Sequence, residues 1–309
     1  MYYIGIDVGG TNLKAGLVTE NGEILAVSRI PLEFTTAEAF AETLADLAKQ
    51  VLQEASVSPS EIASVGIGIP GAVQGGNILF TANIPMRDIP LEYLFRKSLD
   101  IPVSLANDAD CAAAAEYLLG SGKGTSDFVL VTLGTGVGGG LILGGRLHTG
   151  KCCAGEVGHM VIDLGGEACG CGRQGCWESY ASATGLIRMA EKAAREQPKS
   201  LLASLPVLNG QTIFEAAQQG DETALAVTKN YVTYLAAGIT NLVNILQPEV
   251  IAIGGGVAAA PENLLLKPVQ QYVHDNCYGR HVGHYPKVVR ASMGNDAGIV
   301  GAALISKLK

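Results

Sequence analysis

Apolar runs separated by glycine and asparagine turns dominate the first third of the chain. Tyr3 to Asp7 reads as a short buried strand and Leu13 to Thr19 as a second. Asn21-Gly22 signals a hairpin into a third, Ile24 to Ile30, so the chain is expected to open as an antiparallel meander. From Ala37 to Ala55 the apolar positions fall at helical spacing, behind Thr35 or Thr36 as N-cap. Val65 to Ile69 is the next strand, stopped by Pro70-Gly71. Ile101 to Leu105 leads as a strand into Asn107-Asp108, and the alanine-rich Ala109 to Leu119 is a helix ending near Gly120.

The composition turns to Gly, Ser and Lys over Gly120 to Ser126, which marks a domain boundary. The second half then restarts the same plan: strand Phe128 to Leu133, a Gly-Thr-Gly turn, strand Gly139 to Leu143, a Gly144-Gly145 turn and a short strand at Arg146-Leu147. Helical stretches follow over Ala181 to Glu196, Thr212 to Gln219 and Thr223 to Leu246. Strand Val250 to Ile253, a helix from about Pro261 to His274, strand Lys287 to Ala291 and a closing helix, Gly298 to Leu308, complete the chain. Two similar halves suggest a cleft between two domains, residues 1–120 and 121–295, with the closing helix, about 296–309, joining the first.

Composition sharpens this picture at one point. The 309 residues include 40 glycines, well above the ~7% usual in globular chains. They cluster in DVGGT, GIGIPG, GTGVGGG and IGGGV, each beside a β-rich run, as expected where backbone approaches a ligand, typically phosphate. A net charge of −8 without a basic stripe argues against nucleic acid as the main partner. No apolar run reaches the ~18 residues that span a bilayer. The N-terminus lacks a signal-peptide pattern, and the cysteines show no disulfide framework, so a reducing cytoplasm is expected.

Three of the seven Cys lie with one His in GEVGHMVIDLGGEACGCGRQGCWE. His159, Cys169, Cys171 and Cys176 make the closed four-ligand set that structural zinc prefers, and Gly158, Gly170, Gly172 and Gly175 let the backbone curl around an ion. A Cys-x-Cys pair with a His and a third Cys in so short a span argues against merely free or disulfide-linked cysteines. A closed set leaves no open coordination position, so the metal should fix a loop, and the chemistry should come from what the loop carries. Glu156 and Glu178 bracket it.

The turn Asp7-x-Gly9-Gly10-Thr11 fits neither a dinucleotide fingerprint, because a strand follows it, nor a Walker loop, because Gly-Lys-Ser/Thr is missing. Gly9-Gly10-Thr11 and Gly134-Thr135-Gly136 occupy matching places in the two halves. Each offers backbone N–H groups and a hydroxyl, and together they favour a polyphosphate clamp over ordinary hairpins.

DVGGT, GIPG, TANIP, NDA, LGTGVGGG, GEVGH and CGCGRQGCWESYASA together closely resemble the ROK family of sugar kinases and repressors, within the actin-like and hexokinase-like ATPase superfamily. The likeness runs from about Tyr3 to Ala303, and CWESYASATGLIR looks most like bacterial glucokinases of that family. It implies an α/β fold of two actin-like (ribonuclease H-like) domains, with ATP and sugar meeting in the cleft, as a homodimer or homotetramer. By position, Asp108 matches the catalytic base, a role that suits a carboxylate kept ionised beside a helix N-terminus; an ordinary N-cap is the other reading. Gly71, Asn83, Asn107, Glu156, His159 and Glu178 match sugar contacts, with His159 serving sugar and zinc through different ring nitrogens. Asp7 matches the acid that orients Mg²⁺. Gly9, Gly10, Thr11, Gly134, Thr135 and Gly136 match the phosphate clamp, and Gly254, Gly255 and Gly256 would lie along the adenosine. Lys14 suits phosphate or a solvated strand edge equally.

The resemblance thus implies ATP-dependent phosphorylation of a hexose, glucose to glucose 6-phosphate by preference, with ATP, Mg²⁺ and structural Zn²⁺. Fructose, N-acetylglucosamine and N-acetylmannosamine are the rival acceptors and polyphosphate the rival donor. ROK repressors share the sugar site but carry an N-terminal helix-turn-helix, whereas here the first strand starts at Tyr3. A pseudo-kinase would be expected to lose Asp108 or the DVGGT turn, and both are intact.

Overall fold

The computed structural model describes residues 1–81 and 84–308; Ala82, Asn83 and Lys309, and so the sugar contact expected of Asn83, lie outside the described residues. The chain divides into two compact units, Met1–Ser126 with Gly140–Gly155 and Ser292–Lys309, and Asp127–Gly139 with Glu156–Ala291.

In the first unit, β1 (Tyr2–Val8), β2 (Asn12–Thr19) and β3 (Ile24–Pro31) form an antiparallel meander. Helix α1 (Ala37–Ala55) starts where Thr36 accepts a hydrogen bond from the Ala39 N–H and stops at left-handed Ser56. It buries Phe40, Leu44, Leu47, Ala48 and Val51, a stripe at three- and four-residue steps in which each large side chain contributes roughly 1.5–3 kcal/mol. Strand β4 (Ile62–Ile69) pairs parallel with β1. A small antiparallel sheet follows, β5 (Gly71–Gln74), β6 (Asn77–Thr81) and β7 (Arg87–Ile89), and then helix α2 (Leu91–Ser98). Strand β8 (Val103–Asn107), parallel to β4, delivers the chain to α3 (Asp108–Leu118). The main sheet therefore runs β3-β2-β1-β4-β8.

Along the second half run β9 (Phe128–Leu133), β10 (Val137–Leu143) and β11 (Arg146–Leu147), then helices α4 (Glu178–Ala181), α5 (Ala183–Glu196), α6 (Leu201–Ser204), α7 (Gly210–Gln218) and α8 (Glu222–Leu246). Strand β12 (Val250–Gly254), helix α9 (Leu266–Asn276) and strand β13 (Lys287–Arg290) follow. The sheet order is β11-β10-β9-β12-β13, the order of the first sheet repeated strand for strand, with β12 parallel to both β9 and β13.

Helix boundaries depart from the sequence pattern most clearly at three places, one being the closing helix, which ends at Leu304 and gives way to a 3-10 turn over Ile305–Leu308. Ser182 takes extended backbone (φ −83°, ψ 169°), splitting the run expected from Ala181 to Glu196, and its hydroxyl caps α5 by accepting from the Gly185 N–H at 3.0 Å. Helix α9 begins at Leu266 and not near Pro261, which puts Pro268 in the first turn; a helix from Pro261 would have placed that ring in its interior, where it clashes with the preceding turn.

Helix α10 (Ala297–Leu304) belongs to the first unit and lies against bare backbone. A Cβ at Gly5 of β1 would come within 1.9 Å of the Ile299 carbonyl oxygen, one at Gly66 of β4 within 1.7 Å of the Ala302 oxygen, and one at Gly301 within 1.6 Å of the Cys111 oxygen on α3. Only glycine permits that approach from both sides.

Candidate active site and metal centre

In the first unit the end of β8 and the start of α3 carry the candidate base. Asn107 is the N-cap: its side-chain oxygen accepts from the Ala109 N–H at 2.8 Å while its amide donates to the Gly71 carbonyl at 3.2 Å. Asp108, in the first turn, accepts from the same Ala109 N–H at 2.9 Å and is exposed. Capping and presenting a carboxylate thus fall to two adjacent residues, and Gly71, Asn107 and Asp108 come together. The cap of α3 is Asn107 and not Asp108.

Asp7 and Lys14 are cross-strand partners on β1 and β2. Burial pushes the Asp7 carboxyl above its ordinary range, with the Lys14 charge opposing. A Cβ at Gly298 would stand 3.1 Å from that carboxyl, so the start of α10 packs closely over it. The Gly9 N–H closes its turn on the Asn12 carbonyl at 2.9 Å, Gly10 faces open space, and the Thr11 hydroxyl accepts from the Asn12 amide at 2.7 Å.

In the second unit the turn Gly134-Thr135-Gly136 is held from α5. The Ala183 N–H donates to the Gly134 carbonyl at 2.8 Å and the Thr184 hydroxyl to the Thr135 carbonyl at 2.8 Å. Left-handed Gly255 (φ 83°) lets the Gly254-Gly255-Gly256 turn rest on the end of β9, since a Cβ there would meet the Leu133 carbonyl oxygen at 2.4 Å. Glu156 is exposed and precedes the 3-10 turn Val157–His159; within it Gly158 sits so close to β10 that a Cβ would come within 2.1 Å of the Val137 carbonyl oxygen.

His159, Cys169, Cys171 and Cys176 converge, with one ligand atom from each lying within 4.8 Å of all the others. The Cys169 Sγ is 3.7 Å from His159 Nδ1, and the Cys171 and Cys176 sulfurs are 3.6 Å apart. These are edge lengths of a tetrahedron whose centre lies about 2.3 Å from sulfur and about 2.0 Å from nitrogen, so the donor set fits zinc. Burial pushes the Cys169 thiol up to about 12, whereas Cys171 falls to about 6, first through the backbone N–H of Arg173. A trio in which one sulfur ionises readily and another resists needs a cation before all three can be thiolates. With Nδ1 turned to the sulfurs, Nε2 is the ring nitrogen left for another partner.

Glu178 joins this centre more closely than its position in the sequence suggests. Its Oε1 lies 3.0 Å from the Cys169 sulfur and 3.6 Å from His159 Nδ1, and its Oε2 would be 2.6 Å from a Cβ on Gly136. The carboxylate therefore touches both the Cys/His cluster and the Gly-rich turn.

Several supporting residues escape sequence reasoning. Arg173 donates to the His159 carbonyl, and the Tyr180 hydroxyl donates to Asp163 at 2.9 Å while accepting from the Glu167 N–H at 2.7 Å. Fully buried Trp177 donates through its indole nitrogen to the Tyr234 carbonyl at 2.9 Å and lies on Gly238 of α8, where a Cβ would come within 2.1 Å of the ring. The single Trp of the chain, set between Cys176 and Glu178, was the available signal.

A strand plan repeated in two halves, with glycine-rich turns after β1 and β9, defines the actin-like ATPase fold of sugar kinases. The chain belongs to the ROK family, whose model matches residues 3–309. It is 39% identical to a glucokinase of Halalkalibacterium halodurans over 99% of this chain and 95% of the relative. It is 33% identical to an N-acetylmannosamine kinase of Escherichia coli over 99% of both chains. Among solved structures, a ROK family glucokinase from Streptomyces griseus in complex with glucose and AMPPNP superposes with a TM-score of 0.80 at 34% identity, covering 98% of each chain.

Proposed function

We infer that this chain transfers the terminal phosphoryl group of ATP to a hexose, with glucose as the preferred acceptor and glucose 6-phosphate as product. The observation that carries the reading is the exposed Asp108 carboxylate at the start of α3, beside an Asn107 amide anchored on the Gly71 carbonyl. Full-length likeness to glucokinases, one of them solved with glucose and an ATP analogue, supports the same donor and acceptor here.

As the sugar oxygen bonds to phosphorus and the bond to the ADP oxygen breaks, Asp108 accepts the hydroxyl proton. Asn107, Gly71, Asn83, Glu156, His159 and Glu178 hydrogen-bond the ring hydroxyls. The N–H groups of Gly9, Gly10, Thr11, Gly134, Thr135 and Gly136 hold the phosphates, Lys14 adds charge beside them, and Gly254, Gly255 and Gly256 border the adenosine. Mg²⁺ neutralises phosphate charge when bound, and Asp7 is the residue that would hold its water shell. His159, Cys169, Cys171 and Cys176 would hold a structural Zn²⁺ that fixes the loop carrying Glu156 and Glu178. By sequence we assign residues 1–120 with about 296–309 to one actin-like domain and 121–295 to the other, with the Gly140–Gly155 segment clustering with the first unit, in a cytoplasmic homodimer or homotetramer.

The test is ADP release measured side by side for glucose, mannose, fructose, N-acetylglucosamine and N-acetylmannosamine, with ATP and with polyphosphate. Glucose with ATP should have the highest kcat/KM. An N-acetyl sugar ahead by more than roughly tenfold, about 1.4 kcal/mol of transition-state binding, would overturn glucose as substrate and leave the kinase in place.

A further inference from the structure

Outside the metal cluster, two adjacent thiols of the first unit come together without a role in phosphoryl transfer. The sulfurs of Cys152 and Cys153 are 3.0 Å apart, with Cys152 half-buried and Cys153 exposed. Consecutive side chains on extended backbone point to opposite faces, so this approach is made by the turn itself. The His148 N–H donates to the Leu141 carbonyl at 2.8 Å, the Ala154 N–H closes on the Thr149 carbonyl at 3.1 Å, and Gly150 (φ 58°) and Gly155 (φ 96°) supply left-handed backbone at each end.

We propose that Cys152 and Cys153 form a bidentate site for a thiophilic electrophile of the trivalent-arsenic class, and that filling it restrains Glu156, three residues on in the chain. Adjacent Cα atoms are about 3.8 Å apart, below the roughly 4.4 Å at which ordinary disulfides begin. The pair is therefore better placed to grip one atom between its sulfurs than to bond sulfur to sulfur. With an aryl arsenoxide, two As–S bonds form, the As–O bond is lost, and the oxygen leaves as water carrying both thiol protons; arsenic stays trivalent. The resulting ring freezes the turn that feeds Glu156 and the 3-10 turn Val157–His159. The effect on sugar binding rests on the kinase reading above, whereas capture by the thiols does not.

The experiment treats the zinc-loaded full-length protein with one equivalent of phenylarsine oxide, then reads intact mass, peptide mapping and steady-state kinetics. The expected result is one adduct per chain on the Cys152–Cys153 peptide, reversed by a small dithiol, with a several-fold rise in sugar KM and little change in ATP KM. Cys152→Ser and Cys153→Ser should keep basal activity and lose stoichiometric capture. Adducts confined to Cys169, Cys171 and Cys176, equal capture by Cys152→Ser, or a hydroperoxide-driven Cys152–Cys153 disulfide in a protein that takes up no arsenical would each overturn the site. An adduct that leaves sugar KM unmoved overturns the coupling to Glu156. Absence of kinase activity on any hexose would sink the kinase reading and leave the adduct measurement standing.

Discussion

The carboxylate of Glu116, on α3, accepts the Ser292 backbone N–H at 2.6 Å, joining residues far apart in sequence at the point where the chain returns to the first unit. The same side chain accepts from the Met293 N–H at 2.6 Å, from the Ser292 hydroxyl at 3.1 Å, and from the Ser121 N–H and hydroxyl at 2.9 and 2.7 Å. It is 1% exposed, so water cannot replace it. Glu116→Ala should cost about 3 kcal/mol or more, because several donors lose one shared, buried acceptor together; Glu116→Gln, which turns a donor toward Ser121, should cost about 1–3 kcal/mol. Urea unfolding of both variants checks the order.

Replacing Asp108 by Asn removes the proton acceptor while Asn107 keeps the cap of α3. Turnover should fall by ~10² or more with a much smaller loss of sugar binding and little change in thermal midpoint. Unchanged turnover would take Asp108 out of the reaction.

Asp7, proposed above to hold the Mg²⁺ water shell, is a group whose charge opposes stability. Its pKa is raised in the folded chain by burial, so the native state holds the proton more tightly than the unfolded state. Stability is then fully present below the unfolded pKa and declines as pH rises through the folded one. Asp7→Asn should melt higher than the parent at pH 7, with the advantage shrinking as pH falls below the raised pKa, while activity drops by ~10² or more. Melting curves across pH, paired with turnover, separate the two effects.

Elemental analysis should find about one zinc per chain, and Cys171→Ser should lose it. Because Glu178 touches the cluster and Glu156 opens the same loop, metal loss should raise sugar KM more than ATP KM. Full activity from a metal-free protein would contradict a structural role for the ion.

Gly66→Ala pushes a methyl group onto the Ala302 carbonyl, which is backbone and cannot turn aside. The variant should lose about 3 kcal/mol or more, or fail to fold, whereas Gly75→Ala, where nothing lies within 4 Å but φ is 54°, should cost only the left-handed strain of about 1 kcal/mol. Denaturant midpoints distinguish the cases.

Features written in neighbouring residues were readable from the sequence. Both ends of α1 follow from its spacing and Thr36, and the candidate metal ligands lie in one short loop. Strands of three to five residues in the β5-β6-β7 sheet are too short to display an alternating pattern, and α2 hides behind Pro90. The grip of Glu116 on Ser292, the seating of Gly66 under Ala302 and the hold of Ala183 on Gly134 are long-range contacts that no local period encodes. Glu178 stood out in the sequence as a candidate site acid, but its closeness to Cys169 depends on how the loop folds back.

Helix α10 also constrains the order in which the protein can be made. Its residues emerge from the ribosome after every strand it covers, and after the whole of the second unit. Domains generally fold in the order of synthesis, N-terminal first, but here the early sheet must wait with the groove over Gly5 and Gly66 open until the last helix arrives. The first unit to be translated is thus the last to be completed, and the nascent chain passes through a stage in which its finished half is the later one.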